Sequence, residues 1–139
     1  MKTKHYITAL ALLLLLVGLG GWWQYNKPTR DLKKEKADFS IPTTELYEQF
    51  SQNEINANQQ YLDKTLQVQG VLKTISRGED GSLNLNLDAG SEMGGVTCEV
   101  PAANIPEGLA LQVGQQIKVK GQCTGYLMDV VLVKCVLVP

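Results

Sequence analysis

The residue types that perform hydrolytic or transfer chemistry are scarce in this chain. Its one histidine, His5, precedes a long apolar segment, so residues 41–139 contain none. A Ser/His/Asp or Cys/His site needs an imidazole or another base beside its nucleophile. Several carboxylates fall in turns or at strand ends, where solvated turn residues are the simpler interpretation: Asp80, Asp88, Glu92 and Asp129. The sequence therefore predicts a protein that is not an enzyme.

Metal and cofactor sites are not expected either. The three cysteines, Cys98, Cys123 and Cys135, form no C-x-x-C pair, and the histidine that could complete a zinc site lies at the N-terminus. The glycines form neither a G-x-G-x-x-G nor a Walker loop. We predict no cofactor and no metal.

Charge is divided unevenly along the chain. Residues 1–40 hold seven Lys or Arg against three Asp or Glu, whereas residues 41–139 hold six against eleven. Nucleic-acid affinity rests mainly on cations that neutralise phosphates. An acidic C-terminal part therefore disfavours nucleic acid as a partner.

The segment Tyr6–Tyr25 carries no charged residue and is as long as a bilayer-spanning helix, which needs about 20 apolar residues. Lys2, Lys4 and His5 precede it, and Trp22 and Trp23 lie near its end as an interfacial aromatic belt would. We interpret residues 1–25 as an uncleaved signal anchor that meets the lipid bilayer through Tyr6–Tyr25. A cleaved signal peptide is the alternative, although no A-x-A site is present.

The orientation of this anchor rests on conflicting signals. Five Lys or Arg residues follow the segment and two precede it, which taken alone favours a cytoplasmic domain. The short basic start and the cysteines instead suit export to an oxidising space. We expect a single-pass membrane protein whose C-terminal domain lies outside the cytoplasm. Residues 26–42, polar and mixed in charge, are predicted to be a linker, which leaves 43–139 for the domain.

Hydrophobic periodicity predicts the elements of that domain. Leu46, Phe50, Ala57 and Tyr61 fall on one face of a surface helix that Thr43 would cap. Period-2 alternation then predicts strands over 66–73, 83–88, 96–100 and 117–122, and a fifth, almost wholly apolar strand covers 130–138. A loop or short helix within 101–111 separates the third strand from the fourth. Five strands broken at this point match an OB-fold barrel, so the predicted class is mainly β.

Several motifs resemble one family. These are NKPTRD at 26–31, F-x-x-N-E-x-x-A-N-x-x-Y-L at 50–62, MGGVTC at 93–98 and KGQCTGYLMDVVL at 120–132. Together they resemble the tRNA-anticodon-binding-like (tRNA_anti-like) OB-fold family of short bacterial envelope proteins. The resemblance implies an OB barrel behind an N-terminal anchor or lipoprotein signal, and it implies no particular activity. Because no Cys follows the apolar segment, only the anchor carries over.

All three cysteines are expected to face the barrel interior. The fifth strand of an OB barrel lies between the third and fourth, so Cys135 can neighbour either of the others. We favour a Cys123–Cys135 disulfide with Cys98 as a buried free thiol. A Cys98–Cys135 bridge and three reduced core residues are the alternatives.

The best candidate for binding is the stretch Thr124–Asp129, predicted to link the fourth and fifth strands. In OB folds this loop and the loop between the first two strands contribute to the ligand face. We therefore select Tyr126, Leu127, Met128 and Asp129, with Arg77 on the facing loop. The competing interpretation is that the apolar side chains plug the barrel mouth.

The function expected from these features is that of a membrane-anchored binding module of the cell envelope. Its predicted partner is a peptide, protein or glycan. A domain that binds single-stranded nucleic acid or tRNA is the alternative.

Overall fold

The computed structural model describes residues 2–25 and 31–139, which fall into two separate compact units divided at Asp31. The N-terminal unit contains one helix, α1, Lys2–Tyr25. None of its side chains is buried, and its mean hydropathy over an 18-residue window is 1.9. The part of this helix from residue 6 to residue 25 carries no charge and is long enough to cross a bilayer, although a signal sequence would have the same properties.

The C-terminal unit is a closed five-stranded OB barrel flanked by one more strand, which confirms the predicted fold class. Its strands are β1 Phe39–Pro42, β2 Thr65–Arg77, β3 Leu83–Leu87, β4 Val96–Val100, β5 Gln116–Tyr126 and β6 Val130–Val138. The barrel runs β2-β3-β4-β6-β5 and closes by pairing β5 with β2, while β1 pairs with β2 on the outside. As expected, the last strand lies between the third and fourth strands of the barrel.

The length of β2 is what allows the barrel to close. Its first part, Thr65–Val71, pairs with β5, and its second part, Leu72–Arg77, pairs with β3. A register shift between Leu72 and Thr74 marks the change of partner. Inward residues such as Leu72, Leu85 and Leu132 are fully buried, so the alternating pattern forms one continuous core.

Two helices precede the barrel where we predicted one. They are α2, Thr43–Gln52, and α3, Glu54–Tyr61. Asn53 interrupts them, and its side chain accepts a hydrogen bond from the Asn56 backbone N–H at 3.1 Å, which caps α3. The predicted apolar face is confirmed, because Leu46, Phe50, Ala57 and Tyr61 are all buried.

Thr43 does not cap the helix as predicted. Pro42 occupies the cap position, and the Thr43 hydroxyl instead donates a 2.7 Å hydrogen bond to the carbonyl of Asp88. A side chain at Gly70 would collide with Thr43, so a glycine lets α2 approach β2 closely. The threonine thus joins the helix to the loop that follows β3.

The folded unit begins before the predicted boundary at Thr43. Within the expected linker 26–42, Leu32 is buried and β1 pairs in parallel with Leu66–Gln69. The Lys120 ammonium also donates a 2.7 Å hydrogen bond to the Glu35 carbonyl. Residues 31–42 therefore belong to the domain, whereas residues 26–30 of the predicted linker lie outside the described residues.

Candidate ligand-binding face

The outward side of β3 and β4 is the face that OB folds use for ligands. Because successive side chains of a strand point to opposite faces, Asn84 and Asn86 alternate with buried leucines, and Thr97 and Glu99 alternate with buried Val and Cys residues. The register places Asn84 opposite Glu99 and Asn86 opposite Thr97. The result is a surface of two amides, a hydroxyl and a carboxylate, all of which can hydrogen-bond.

Asp129 organises one end of this face. Its Oδ1 accepts a hydrogen bond from the Gly95 backbone N–H at 2.8 Å, and its Oδ2 accepts from the Thr97 hydroxyl at 2.9 Å and the Asn86 amide at 3.3 Å. The Asn86 amide also lies 3.2 Å from the Thr97 hydroxyl. Asp129 therefore positions two residues of the face and is not a free carboxylate awaiting a ligand.

The β5–β6 hairpin is tighter than the predicted loop Thr124–Asp129, since β5 continues to Tyr126. The Tyr126 ring stacks on Phe50 at 5.8 Å between ring centroids and meets Tyr47 edge-on at 5.9 Å. The hydrogen bond between the two tyrosines, assisted by desolvation, raises the pKa of Tyr126. Tyr126 therefore packs against α2.

The next two residues of the hairpin behave differently. Leu127 is 88% exposed and Met128 is 69% exposed. The loop between β3 and β4 touches this hairpin, because a side chain at Gly94 would collide with the Met128 carbonyl. On that loop Met93 is 76% exposed. Sequence reasoning missed Met93, although an apolar residue beside two glycines was a usable signal.

Arg77 lies at the other end of the face. It is the last residue of β2, is exposed, and pairs with Leu83 at the start of β3. The Asp129 end of the face is at the other end of β3. There Leu87 pairs with Val96, and the preceding residue, Gly95, donates its hydrogen bond to Asp129. Four residue steps of an antiparallel strand span about 14 Å. The structure thus does not gather Arg77 with the hairpin residues; the two groups border the face from opposite ends.

The cysteines lie in the core as expected, but the favoured Cys123–Cys135 disulfide is not formed, and all three are buried free thiols. Cys123 lies opposite Leu132 across β5 and β6, whereas Cys135 follows a bulge at Lys134 (φ 54°) and adjoins Gly121. The bulge shifts the register of β6 against β5, so Cys135 is not the residue opposite Cys123. A hydrogen bond with Cys98, together with burial, raises the pKa of Cys135, so Cys98 is its thiol neighbour.

Thiol titration provides a direct prediction. Burial also raises the pKa of Cys123, so at pH 8 this thiol and that of Cys135 stay protonated and shielded. We expect Ellman's reagent to react with the folded chain at least about tenfold more slowly than with a free thiol, and with three thiols after unfolding in guanidinium. The control is protein purified without reductant and then unfolded. If only one thiol per molecule reacts, the other two cysteines form a disulfide and the fully reduced state is contradicted.

Comparison with known proteins places the domain among OB folds. Residues 1–137 match the family model described as tRNA_anti-like. No curated protein sequence matches the chain. Among solved structures, a lipoprotein from Klebsiella pneumoniae subsp. pneumoniae, to which nucleic-acid binding has been ascribed, is similar with a TM-score of 0.60 and 21% identity over 81% of this chain and 100% of that chain. A chain of the S. pombe Stn1–Ten1 complex is similar with a TM-score of 0.43 and 19% identity over 76% and 79%.

Proposed function

This chain belongs to the tRNA_anti-like family, and we propose that it is a non-enzymatic, membrane-anchored OB-fold module that binds a peptide, protein or glycan in the bacterial envelope. The binding surface is the β3–β4 face, bordered by Arg77 at one end and by Leu127, Met128 and Met93 at the other. Family membership and the barrel support a binding module, and the ligand class is our inference from the chemistry of the face.

One observation carries the choice of ligand. The outward residues of β3 and β4 are Asn84, Asn86, Thr97 and Glu99, and none of them is a cation or an aromatic ring. Proteins that hold single-stranded nucleic acid combine a positive groove with stacking aromatics. Amides, a hydroxyl and a carboxylate suit the neutral or cationic hydrogen-bonding groups of peptides and glycans. The exposed Leu and Met side chains at one end can cover apolar parts of such a ligand.

The proposed location follows from α1. A helix whose residues 6–25 carry no charge supports anchorage in a membrane. The acidic domain and its lack of a basic cluster support an envelope partner over a nucleic acid. Nucleic acid is retained as the second candidate ligand. Nucleic-acid binding has been ascribed to the K. pneumoniae lipoprotein, whose fold is similar to that of this chain.

Binding measurements on the full chain in detergent micelles test the proposal. Immobilised chain is exposed to peptidoglycan fragments, to an array of envelope peptides, and to single-stranded dT and rU oligonucleotides at 50 and 200 mM salt. We expect saturable binding in one of the first two sets, and oligonucleotide affinity no tighter than about 10⁻⁴ M at the higher salt. Tight oligonucleotide binding that falls steeply with salt would refute the choice of ligand.

A double variant links any binding to the face. Asn84 and Glu99 face each other across β3 and β4 and lie outside the Asp129 hydrogen bonds, so N84A with E99A should weaken binding at least about tenfold, the effect of losing about 1.4 kcal/mol. Gln59→Ala on the exposed side of α3 is the matched control and should bind like the unmodified chain. Equal affinity of both variants would move the site away from the β3–β4 face.

A further inference from the structure

Two adjoining cavities lie beside the segment that links β4 to β5, and the smaller one reaches Arg77, which also borders the β3–β4 face. The larger is about 700 Å³, and its lining includes the apolar residues Leu109, Leu111, Ile117 and Leu137. This volume falls in the range of small-molecule sites, about 300–1,000 Å³, which are largely apolar with few polar groups. Most of the exposed wall is apolar, so the cavity can shelter hydrocarbon from water.

The smaller cavity extends the larger one. It is about 330 Å³, it shares Leu109 and Leu111 with its neighbour, and Ile75, Leu83 and Ile105 also line it. A chain-like ligand could therefore pass from one cavity to the other along a shared apolar wall. A compact ligand would use only one of them.

Charge distinguishes these cavities from the rest of the domain. Residues 41–139 hold eleven acidic side chains against six basic ones. Yet the charged side chains that line the two cavities are Lys118 in the larger and Arg77 in the smaller, both basic. An acidic domain that places one cation at each of these two cavities is complementary to a ligand that has an apolar body and an anionic head.

We propose that this pair of cavities binds a single acyl chain that carries an anionic head group, with Lys118 or Arg77 beside the head and the leucines around the chain. A peptide is the competing occupant, because Gln69, Gln115 and Gln116 also line the larger cavity and could hydrogen-bond to its backbone. An acyl chain needs no such partners, and the displacement experiment below separates the two.

The source of the ligand is the bilayer, an argument that rests on the membrane anchorage proposed above. A protein anchored through α1 shares its membrane with single-chain anionic lipids, which supply both an apolar body and an anionic head.

Photolabelling of the full chain tests this site. The protein is reconstituted into phosphatidylcholine vesicles that contain a trace of palmitate bearing a photoreactive diazirine on its chain, and labelled peptides are mapped by mass spectrometry. A diazirine-bearing hexadecanol of the same chain length is the neutral comparison. We expect palmitate to label the peptides that contain Leu109, Leu111, Ile117 and Leu137 about threefold to fivefold more than hexadecanol does, corresponding to about 0.7–1 kcal/mol of head-group selectivity.

Charge reversal tests the contribution of the two cations to head-group selectivity. It should not disturb the core, because Arg77 and Lys118 are both exposed. R77E with K118E should abolish the preference for palmitate over hexadecanol. The control, K64E with K134E, makes the same change in net charge at residues that do not line either cavity, and should keep the preference.

Labelling of α1 separates this proposal from the one on which it rests. Label in α1 but not in the cavities would overturn the acyl-chain site and leave the anchorage intact, whereas no label in α1 would refute the anchorage and the bilayer source together. Equal labelling by palmitate and hexadecanol would refute the anionic head. Displacement of the cavity label by an acidic apolar peptide, but not by excess decanoate, would replace the acyl chain with a peptide.

Discussion

Replacing Phe50 by Ala is expected to lower the free energy of unfolding by about 3–5 kcal/mol, the range found when a buried aromatic residue is removed from a core. Phe50 is 1% exposed, and its ring centroid lies 5.8 Å from that of Tyr126 and 6.0 Å from that of Tyr61. It thus joins α2 to both α3 and the end of β5. Urea unfolding of the full chain in detergent, followed by near-ultraviolet circular dichroism of the tyrosines, measures the loss.

Ile55→Ala is the matched control for this substitution. Ile55 belongs to α3 but is 73% exposed, so its truncation should change the free energy of unfolding by no more than about 0.5 kcal/mol. Phe50→Ala should also reduce the native tyrosine signal, because Tyr126 loses the ring on which it stacks. A loss below about 1 kcal/mol with an unchanged tyrosine signal would show that the helices do not depend on this contact.

Replacing Asp129 by Ala is expected to cost about 2–3 kcal/mol and to weaken binding to the β3–β4 face. The substitution leaves the Gly95 N–H without its acceptor and removes the carboxylate that positions Thr97 and Asn86. Leaving a partly buried donor unsatisfied costs about 1–3 kcal/mol, and hydrogen bonds to charged groups contribute toward the upper part of that range. Amide hydrogen exchange at Gly95, which should become faster, reports the broken contact directly.

Asp129→Asn provides the comparison. It keeps the shape of the side chain and one acceptor oxygen, which can still receive the Gly95 N–H, so its cost should be about half that of Asp129→Ala. It should also preserve most of the binding. If Asp129→Ala binds as tightly as the unmodified chain although Gly95 exchanges faster, then Asn86 and Thr97 do not depend on Asp129 for their role in the face.

Much of the fold follows from local patterns in the sequence. The bounds of β4 and β6 agree with the predicted strands, and β3 differs by one residue. Leu83, Leu85 and Leu87 alternate with polar residues, and this period holds whatever the partner strand is, because it follows from the geometry of a single strand. The buried face of the helices was predictable for the same reason.

The limits of the domain and of its loops needed the tertiary structure. β1 is four residues long and pairs with residues 66–69, more than twenty positions away, so no local pattern marks it. β5 reaches Tyr126 because β6 continues to pair with it, although Thr124 and Gly125 interrupt the apolar alternation. The length of a strand such as β1 or β5 depends on the strand that it pairs with, and the sequence of one segment alone does not specify that partner.

By itself the sequence determined an apolar N-terminal helix, an acidic β-barrel and a domain without histidine, because these depend on composition and on short periods. Only the tertiary structure decided that Asp129 holds Asn86 and Thr97, that Arg77 lies at the far end of the same face, and that two cavities, each with one basic side chain in its lining, adjoin. The physical reason is that a binding surface is made from side chains distant in sequence, whose separation is set by strand register and by bulges such as the one at Lys134.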